Sequence, residues 1–370
     1  MINTKDFFNY LNSHGLEFYV GVPDSLLANL YACIEDNCGK NNNIIAANEG
    51  NAVAIAAGYH LATSKIGIVY MQNSGIGNAV NPLLSLIDEE VYKIPMLLLI
   101  GWRGEPNTED EPQHKKQGIV TEPLLSSMDI KTIILSENYK QQINECINYM
   151  VATEKAAAVI IKKDTFSPYA NLKIYNPYTL NREKALEIII NSLSDDDFIV
   201  STTGKSSREI FEIRKKNLQT HSHDFLTVGS MGHAASLAFG VSINSDKNIF
   251  CIDGDGAFLM HMGGLAIIAQ NADKNFNYIL INNGSHESTG GQPTVGFNIN
   301  IKKILEAFGF KNIYTAEKVN EVKNYITRLK ENKDLSALII NTGLYSRKDL
   351  GRPELNPKEN KAGFMKALQS

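Results

Sequence analysis

Eight short runs rich in β-branched and apolar residues, punctuated by Gly, Asn and Asp, constrain this chain more than any other feature. Four lie in the first half, at residues 18–22, 66–71, 96–101 and 157–161, and four in the second, at 198–202, 248–252, 278–281 and 337–341. Their apolar residues run on without alternation, which is the pattern of strands covered on both faces, as in parallel sheets. Helical stretches such as 49–61 and 138–153 lie between them. Because 370 residues exceed one ordinary core, the spacing predicts two doubly wound α/β domains, each around a parallel sheet. The rhythm breaks over 163–181, which holds two prolines and no clean period. The expected division is therefore a domain over 1–165, a linker over 166–182 and a second domain over 183–370. No residue-level repeat relates the halves, so any duplication would be one of structure alone.

Charge narrows the ligands. Lysine and arginine number 36 against 40 acids, a net charge of -4, so no global basic field draws nucleic acid or an anionic membrane to the chain. Any anionic ligand must be met by local groups. Cys33, Cys38, Cys146 and Cys251 lack metal-ligand spacing and read as reduced thiols. The longest apolar stretch, near 94–102, is too short to span a bilayer, and the first fifteen residues hold no leader-like apolar region. A cytoplasmic protein is expected.

The sharpest motif lies in the second half. The run 249–252 leads into Asp253-Gly254-Asp255-Gly256-Ala257-Phe258, and 278–281 leads into Asn282-Asn283-Gly284, with 25 residues between Gly256 and Asn282. Both fall at the C-terminal ends of strands, where open α/β sheets place ligands. Glycines beside Asp255 allow backbone to approach a phosphate, while a carboxylate and a carboxamide supply the hard oxygens that suit Mg²⁺. Either fragment alone is an ordinary turn; the spaced pair is specific.

This pair resembles the signature of the thiamine-diphosphate-dependent enzymes. The resemblance implies that the side chains of Asp255 and Asn283 and the carbonyl of Ser285 bind Mg²⁺, and that N–H groups of Gly254, Gly256 and Ala257 hold the diphosphate. Val228-Gly229-Ser230-Met231-Gly232-His233 is similar to the family segment that grips the aminopyrimidine, with Met231 beneath the bent cofactor and the Gly229 carbonyl accepting from its amino group. Gly204, at another strand end, is expected in the same cleft. In the first half, Asn48-Glu49-Gly50-Asn51-Ala52 opens a helix, where an acid commonly complements the helix dipole. The segment resembles the family's pyrimidine-binding helix, which makes Glu49 the carboxylate that contacts N1′ of the cofactor. Family architecture further implies a homodimer or larger assembly in which that glutamate serves a partner's cofactor. The short linker leaves no room for the central domain of pyruvate decarboxylase or acetolactate synthase.

Over nearly its whole length the chain resembles the phosphonopyruvate and sulfopyruvate decarboxylase group. The resemblance rests on Gly21-Val22-Pro23-Asp24-Ser25, on Gly101-Trp102-Arg103-Gly104 with Glu111-Pro112-Gln113-His114-Lys115, and on Ser285-His286-Glu287-Ser288-Thr289-Gly290-Gly291-Gln292. It implies decarboxylation of 3-phosphonopyruvate to phosphonoacetaldehyde and CO₂ in phosphonate biosynthesis, with sulfopyruvate as the alternative substrate. His114 would deliver a proton, and Asp24 and Ser25 stand at a strand end where a hydroxyl would hold the substrate carboxylate. A second anionic head needs cationic donors, for which Arg103, Lys115, Arg347 and Arg352 are candidates. Tyr19, Trp102 and Phe258 are assigned to the core. The distant alternative, a nucleotide-binding or NAD-dependent protein, requires a G-x-G-x-x-G turn after the first strand, and Gly21-Val22-Pro23-Asp24-Ser25-Leu26 does not supply it.

Overall fold

A computed structural model describes residues 1–169, 175–351 and 353–370. It divides into two compact units, Met1–Ile174 with Thr289–Gln292, and Tyr175–Ser288 with Pro293–Ser370. Arg352 lies outside the described residues.

The first unit carries a six-stranded parallel sheet of β1 (Tyr19–Gly21), β2 (Asn43–Ile45), β3 (Gly67–Gln72), β4 (Met96–Gly101), β5 (Lys131–Ile134) and β6 (Ala157–Ile161), in the order β2-β1-β3-β4-β6-β5. Alternate residues of its inner strands feed two separate cores. Val69, Leu98 and Ile160 point to one, and Ile68, Leu97 and Val159 to the other. A strand walled by apolar side chains on both faces must read as continuously apolar, which is why these runs stood out.

The second unit repeats the plan with β7 (Asp197–Ser201), β8 (Asp224–Leu226), β9 (Asn248–Gly254), β10 (Phe276–Asn282), β11 (Asn312–Ala316) and β12 (Ser336–Asn341), ordered β8-β7-β9-β10-β12-β11. Position for position this is the strand order of the first sheet. The likeness leaves no trace in residue identity because only topology and the inward apolar pattern are shared. Each sheet also closes on its own strands.

All eight runs named from the sequence are inner strands. Within the two six-stranded sheets, the strands that reading missed, β2, β5, β8 and β11, are the four edges. Edges are covered on fewer sides, so β2 and β5 are only half-buried and their sequences are correspondingly mixed. Two residues within the expected linker span 166–182 are buried in the cores beside it. Phe166 is buried in the first unit, its ring 5.1 Å from that of Phe7, and Leu180 is buried in the core of the second. Tyr19, Trp102 and Phe258 are buried, as are three of the four free cysteines. Among the described residues no helix is long and apolar enough to cross a membrane.

Candidate active site

Strand register brings the separated motifs of the second unit together. Ile281 pairs with Gly254 across β10 and β9, so Asn282-Asn283 and Asp255 emerge side by side. Ser201 pairs with Ile252, which sets Thr202 and Gly204 beside the same edge. The strand order reverses between β7 and β9, so this edge is the crevice where doubly wound sheets receive ligands. Asp255 starts the short helix Asp255–Met260. Its buried carboxylate accepts from the Thr294 hydroxyl and from the N–H groups of Gly256 and Asn283. Burial nonetheless pushes its pKa up to about 6.

Asn283 is also buried. Its Oδ1 accepts the Ser285 N–H at 3.0 Å and its Nδ2 donates to Glu287 Oε2 at 3.1 Å. Beside it the Ser285 hydroxyl is buried without a partner. A Cβ on Gly256 would stand 2.8 Å from the His286 ring and 3.1 Å from Met231 Cε, so only glycine fits where these side chains converge. Burial drives His286 down to about 4, which keeps it neutral near pH 7. At Gly204 and Gly254 the space is open instead, with the nearest heavy atom 4.0 Å from an added Cβ in each case. Ser230 and Gly232, on either side of Met231, both have left-handed backbone, at φ 49° and 83°. Gly229, Met231, Gly204, Gly254, Asp255, Gly256, Ala257, Asn283 and Ser285 all belong to this one unit.

In the first unit Glu49 opens the helix Glu49–Thr63, which is capped by the Asn48 side chain accepting from the Asn51 N–H. The carboxylate is buried. Desolvation pushes its pKa up, opposed by a 2.8 Å hydrogen bond from Asn78 Nδ2. Asp24 follows β1, and Gln72 Nε2 donates to its Oδ1 at 2.8 Å. Its Oδ2 is buried without a partner against Gly101, the residue that pairs with Gln72 across β4 and β3. Burial raises its pKa. Arg103 Nη1 donates to Ser25 Oγ at 3.2 Å, so Asp24, Ser25 and Arg103 share one strand-end cluster. Arg103 also grips Asp110 through Nε at 2.8 Å and through Nη2. Burial would raise the Asp110 pKa, but that fork and the N–H groups of Glu111 and Gly104 hold it well below the usual carboxylate range. His114, half-buried, and Lys115, exposed, lie in the first turn of the helix Pro112–Ser127. This turn rests on Gly104, where a Cβ would stand 2.5 Å from the His114 carbonyl carbon.

Glu183, Glu212 and Asp349 surround the guanidinium of Arg347 at 2.9, 3.1 and 3.2 Å. Three supporting residues escaped the sequence reading: Gln72, Asn78 and Arg182, the last as partner of Glu287. Glu287 and Thr294 belong to the segment that follows the second asparagine, which carried the resemblance as a stretch but gave neither residue a role of its own.

Residues 3–124 match the N-terminal TPP binding domain of thiamine pyrophosphate enzymes, and residues 202–340 match the C-terminal TPP binding domain. Glu49 falls within the first match and both Asp255 and Asn283 within the second. The phosphonopyruvate decarboxylase of Streptomyces hygroscopicus is 30% identical, over 97% of this chain and 92% of the relative. The chain belongs to the thiamine-diphosphate-dependent decarboxylases. This decarboxylase is 29% identical to the phosphonopyruvate decarboxylase of Streptomyces viridochromogenes, over 97% of the chain and 93% of the relative. It is 27% identical to the sulfopyruvate decarboxylase of Methanosarcina acetivorans, over 88% of the chain and 86% of the relative. As a thiamine-diphosphate-dependent decarboxylase the protein is a carboxy-lyase acting on 2-keto acids, and the NAD-dependent alternative falls away.

Proposed function

We propose that this decarboxylase converts 3-phosphonopyruvate to phosphonoacetaldehyde and CO₂, with thiamine diphosphate held through Mg²⁺. The observation that carries the reading is the meeting of Asp255 and Asn283 at one strand edge, in a chain similar over 97% of its length to phosphonopyruvate decarboxylases. The donor set suits a hard divalent cation: a buried carboxylate with a raised pKa, a carboxamide oxygen and the Ser285 carbonyl. The open space at Gly254 and Gly204 suits a diphosphate approached by backbone N–H groups. Met231 and Gly229 would hold the pyrimidine end.

When bound, thiamine diphosphate supplies the electron sink for the pair that CO₂ leaves behind. The remaining tasks fall to the protein. Glu49, buried and hydrogen-bonded on one oxygen by Asn78, would contact N1′ of the pyrimidine, and in the proposed dimer that cofactor would belong to the partner subunit. The Ser25 hydroxyl donates to the keto acid carboxylate, beside the buried Asp24. His114 returns a proton to the carbon that CO₂ leaves. Lys115 and the Nη1 edge of Arg103 receive the phosphonate, the rest of the Arg103 fork being held by Asp110.

Sulfopyruvate is the second reading, favoured by the similarity to a sulfopyruvate decarboxylase. The deciding experiment measures aldehyde and CO₂ release from phosphonopyruvate, sulfopyruvate and pyruvate, with and without thiamine diphosphate and Mg²⁺. Turnover fastest on phosphonopyruvate supports the first reading, and preference for sulfopyruvate replaces it with the second. No cation dependence would remove Mg²⁺ from the assignment.

A further inference from the structure

Glu287 has been given no role in the reaction, yet it touches the proposed cation site directly. The carboxamide of Asn283 is a group with two unlike ends. Its Nδ2 faces the Glu287 carboxylate, which only accepts, and its Oδ1 faces the Ser285 N–H, which only donates. Turning the amide over would break both hydrogen bonds and set like against like at each end. The oxygen is therefore the end presented beside Ser285, with its second lone pair unused by that N–H.

Glu287 is itself held on two sides. Arg182 Nη1 approaches Oε2 at 2.6 Å and Lys205 Nζ approaches Oε1 at 3.0 Å. Arg182 is anchored in turn by Glu209, through Nε and Nη2 at 2.7 Å each, and donates to Ser346 Oγ at 2.9 Å. Formal charges of Arg182, Lys205, Glu209 and Glu287 cancel, so the cluster adds little net attraction for a cation. A neutral cluster that ends in a fixed acceptor is suited to orientation.

We infer that Glu287 is a positioning residue, clamped by Arg182 and Lys205, that fixes which end of the Asn283 amide meets the divalent cation. The inference rests on the reading of Asn283 as a cation ligand. Its test is a titration of Mn²⁺ into dialysed full-length protein with thiamine diphosphate present, following free Mn²⁺ by electron paramagnetic resonance. The proteins compared are wild type, Glu287→Ala, Glu287→Gln, Asn283→Ala and the Glu287→Ala/Asn283→Ala double variant. Loss of an orienting group of this kind typically weakens metal binding by about 10- to 100-fold, and that is the expected effect of Glu287→Ala. Glu287→Gln should weaken it less, because a carboxamide can still turn its oxygen toward Asn283 Nδ2. Glu287→Ala should add nothing once Asn283 is alanine, whereas an electrostatic or purely structural role would persist in that background. Unchanged Mn²⁺ affinity in Glu287→Ala, or an equal loss in both backgrounds, overturns the positioning role alone. Unchanged affinity in Asn283→Ala overturns the ligand reading and the inference with it. If Glu287→Ala does not fold, the near-isosteric Glu287→Gln in the two backgrounds decides by the same criterion.

Discussion

Gly75 and Glu49 are fitted to one another: a methyl group on the Gly75 α carbon would stand 2.5 Å from Cδ of the Glu49 carboxylate. The backbone at Gly75 is ordinary right-handed helical, at φ -74° and ψ -15°. Glycine is required there for space alone, so the carboxylate sits in a slot whose floor is a missing side chain.

Gly75→Ala should therefore push Glu49 aside with little disturbance of the backbone. A displacement of about 1 Å at a reacting group costs on the order of 100-fold in rate. We expect a loss of that order in kcat at nearly unchanged melting temperature. Full activity in this variant would mean that the position of Glu49 is not critical.

Glu49→Gln should separate stability from activity. Burial penalises the charged carboxylate and raises its pKa, while a glutamine keeps an acceptor for Asn78 Nδ2. A carboxyl whose folded pKa is raised binds protons more readily folded than unfolded, so the wild type gains stability as pH falls through that raised value and the variant does not. Near pH 7 the variant should melt higher, by about 2–4 °C if roughly 1 kcal/mol is recovered, while losing most decarboxylation. Calorimetry beside a CO₂ assay checks both halves.

Asp255→Ala removes the one ionised group among the proposed cation ligands. Equilibrium dialysis with Mg²⁺ should show loss of thiamine diphosphate retention beyond the roughly 10- to 100-fold expected for a supporting residue such as Glu287. Chelation of the wild-type protein with EDTA should mimic the variant and be reversed by added Mg²⁺.

Asp110→Asn tests the clamp on Arg103. The Asp110 carboxyl is held below the usual range in the folded protein, so its stabilisation is present above the ordinary aspartate pKa of about 4 and fades as pH falls through the depressed folded value. At pH 7 the variant should be less stable by about 1–3 kcal/mol, the usual scale for hydrogen bonds to charged groups. The gap should narrow steadily below about pH 4. A difference in melting temperature that does not change between pH 7 and pH 3 would contradict the assigned ion pair.

The fold was legible where burial was complete. β4 and β6 are buried at every position, and such strands announce themselves as unbroken apolar runs. Edge strands such as Asn43–Ile45 and Lys131–Ile134 are half-covered and carry the mixed composition of loops. In the site, Asp255 and Asn283 were legible because their chemistry is local to a strand end and their separation equals one strand–helix–strand passage. Asn78, Gln72 and Arg182 were not, since each acts on a partner 29, 48 or 105 positions away, and no short motif encodes that distance. The three carboxylates around Arg347 were likewise beyond reach of the sequence, since they come from separate segments.

The matching strand orders of the two sheets bear on how such a protein can be inherited. Since each sheet is completed by its own strands, severing the backbone between Tyr169 and Tyr175 interrupts no strand pairing in either one. Two genes, one encoding the half that carries Glu49 and the other the half that carries Asp255 and Asn283, would each specify a whole sheet. Selection could then adjust proton handling and cofactor capture on separate polypeptides.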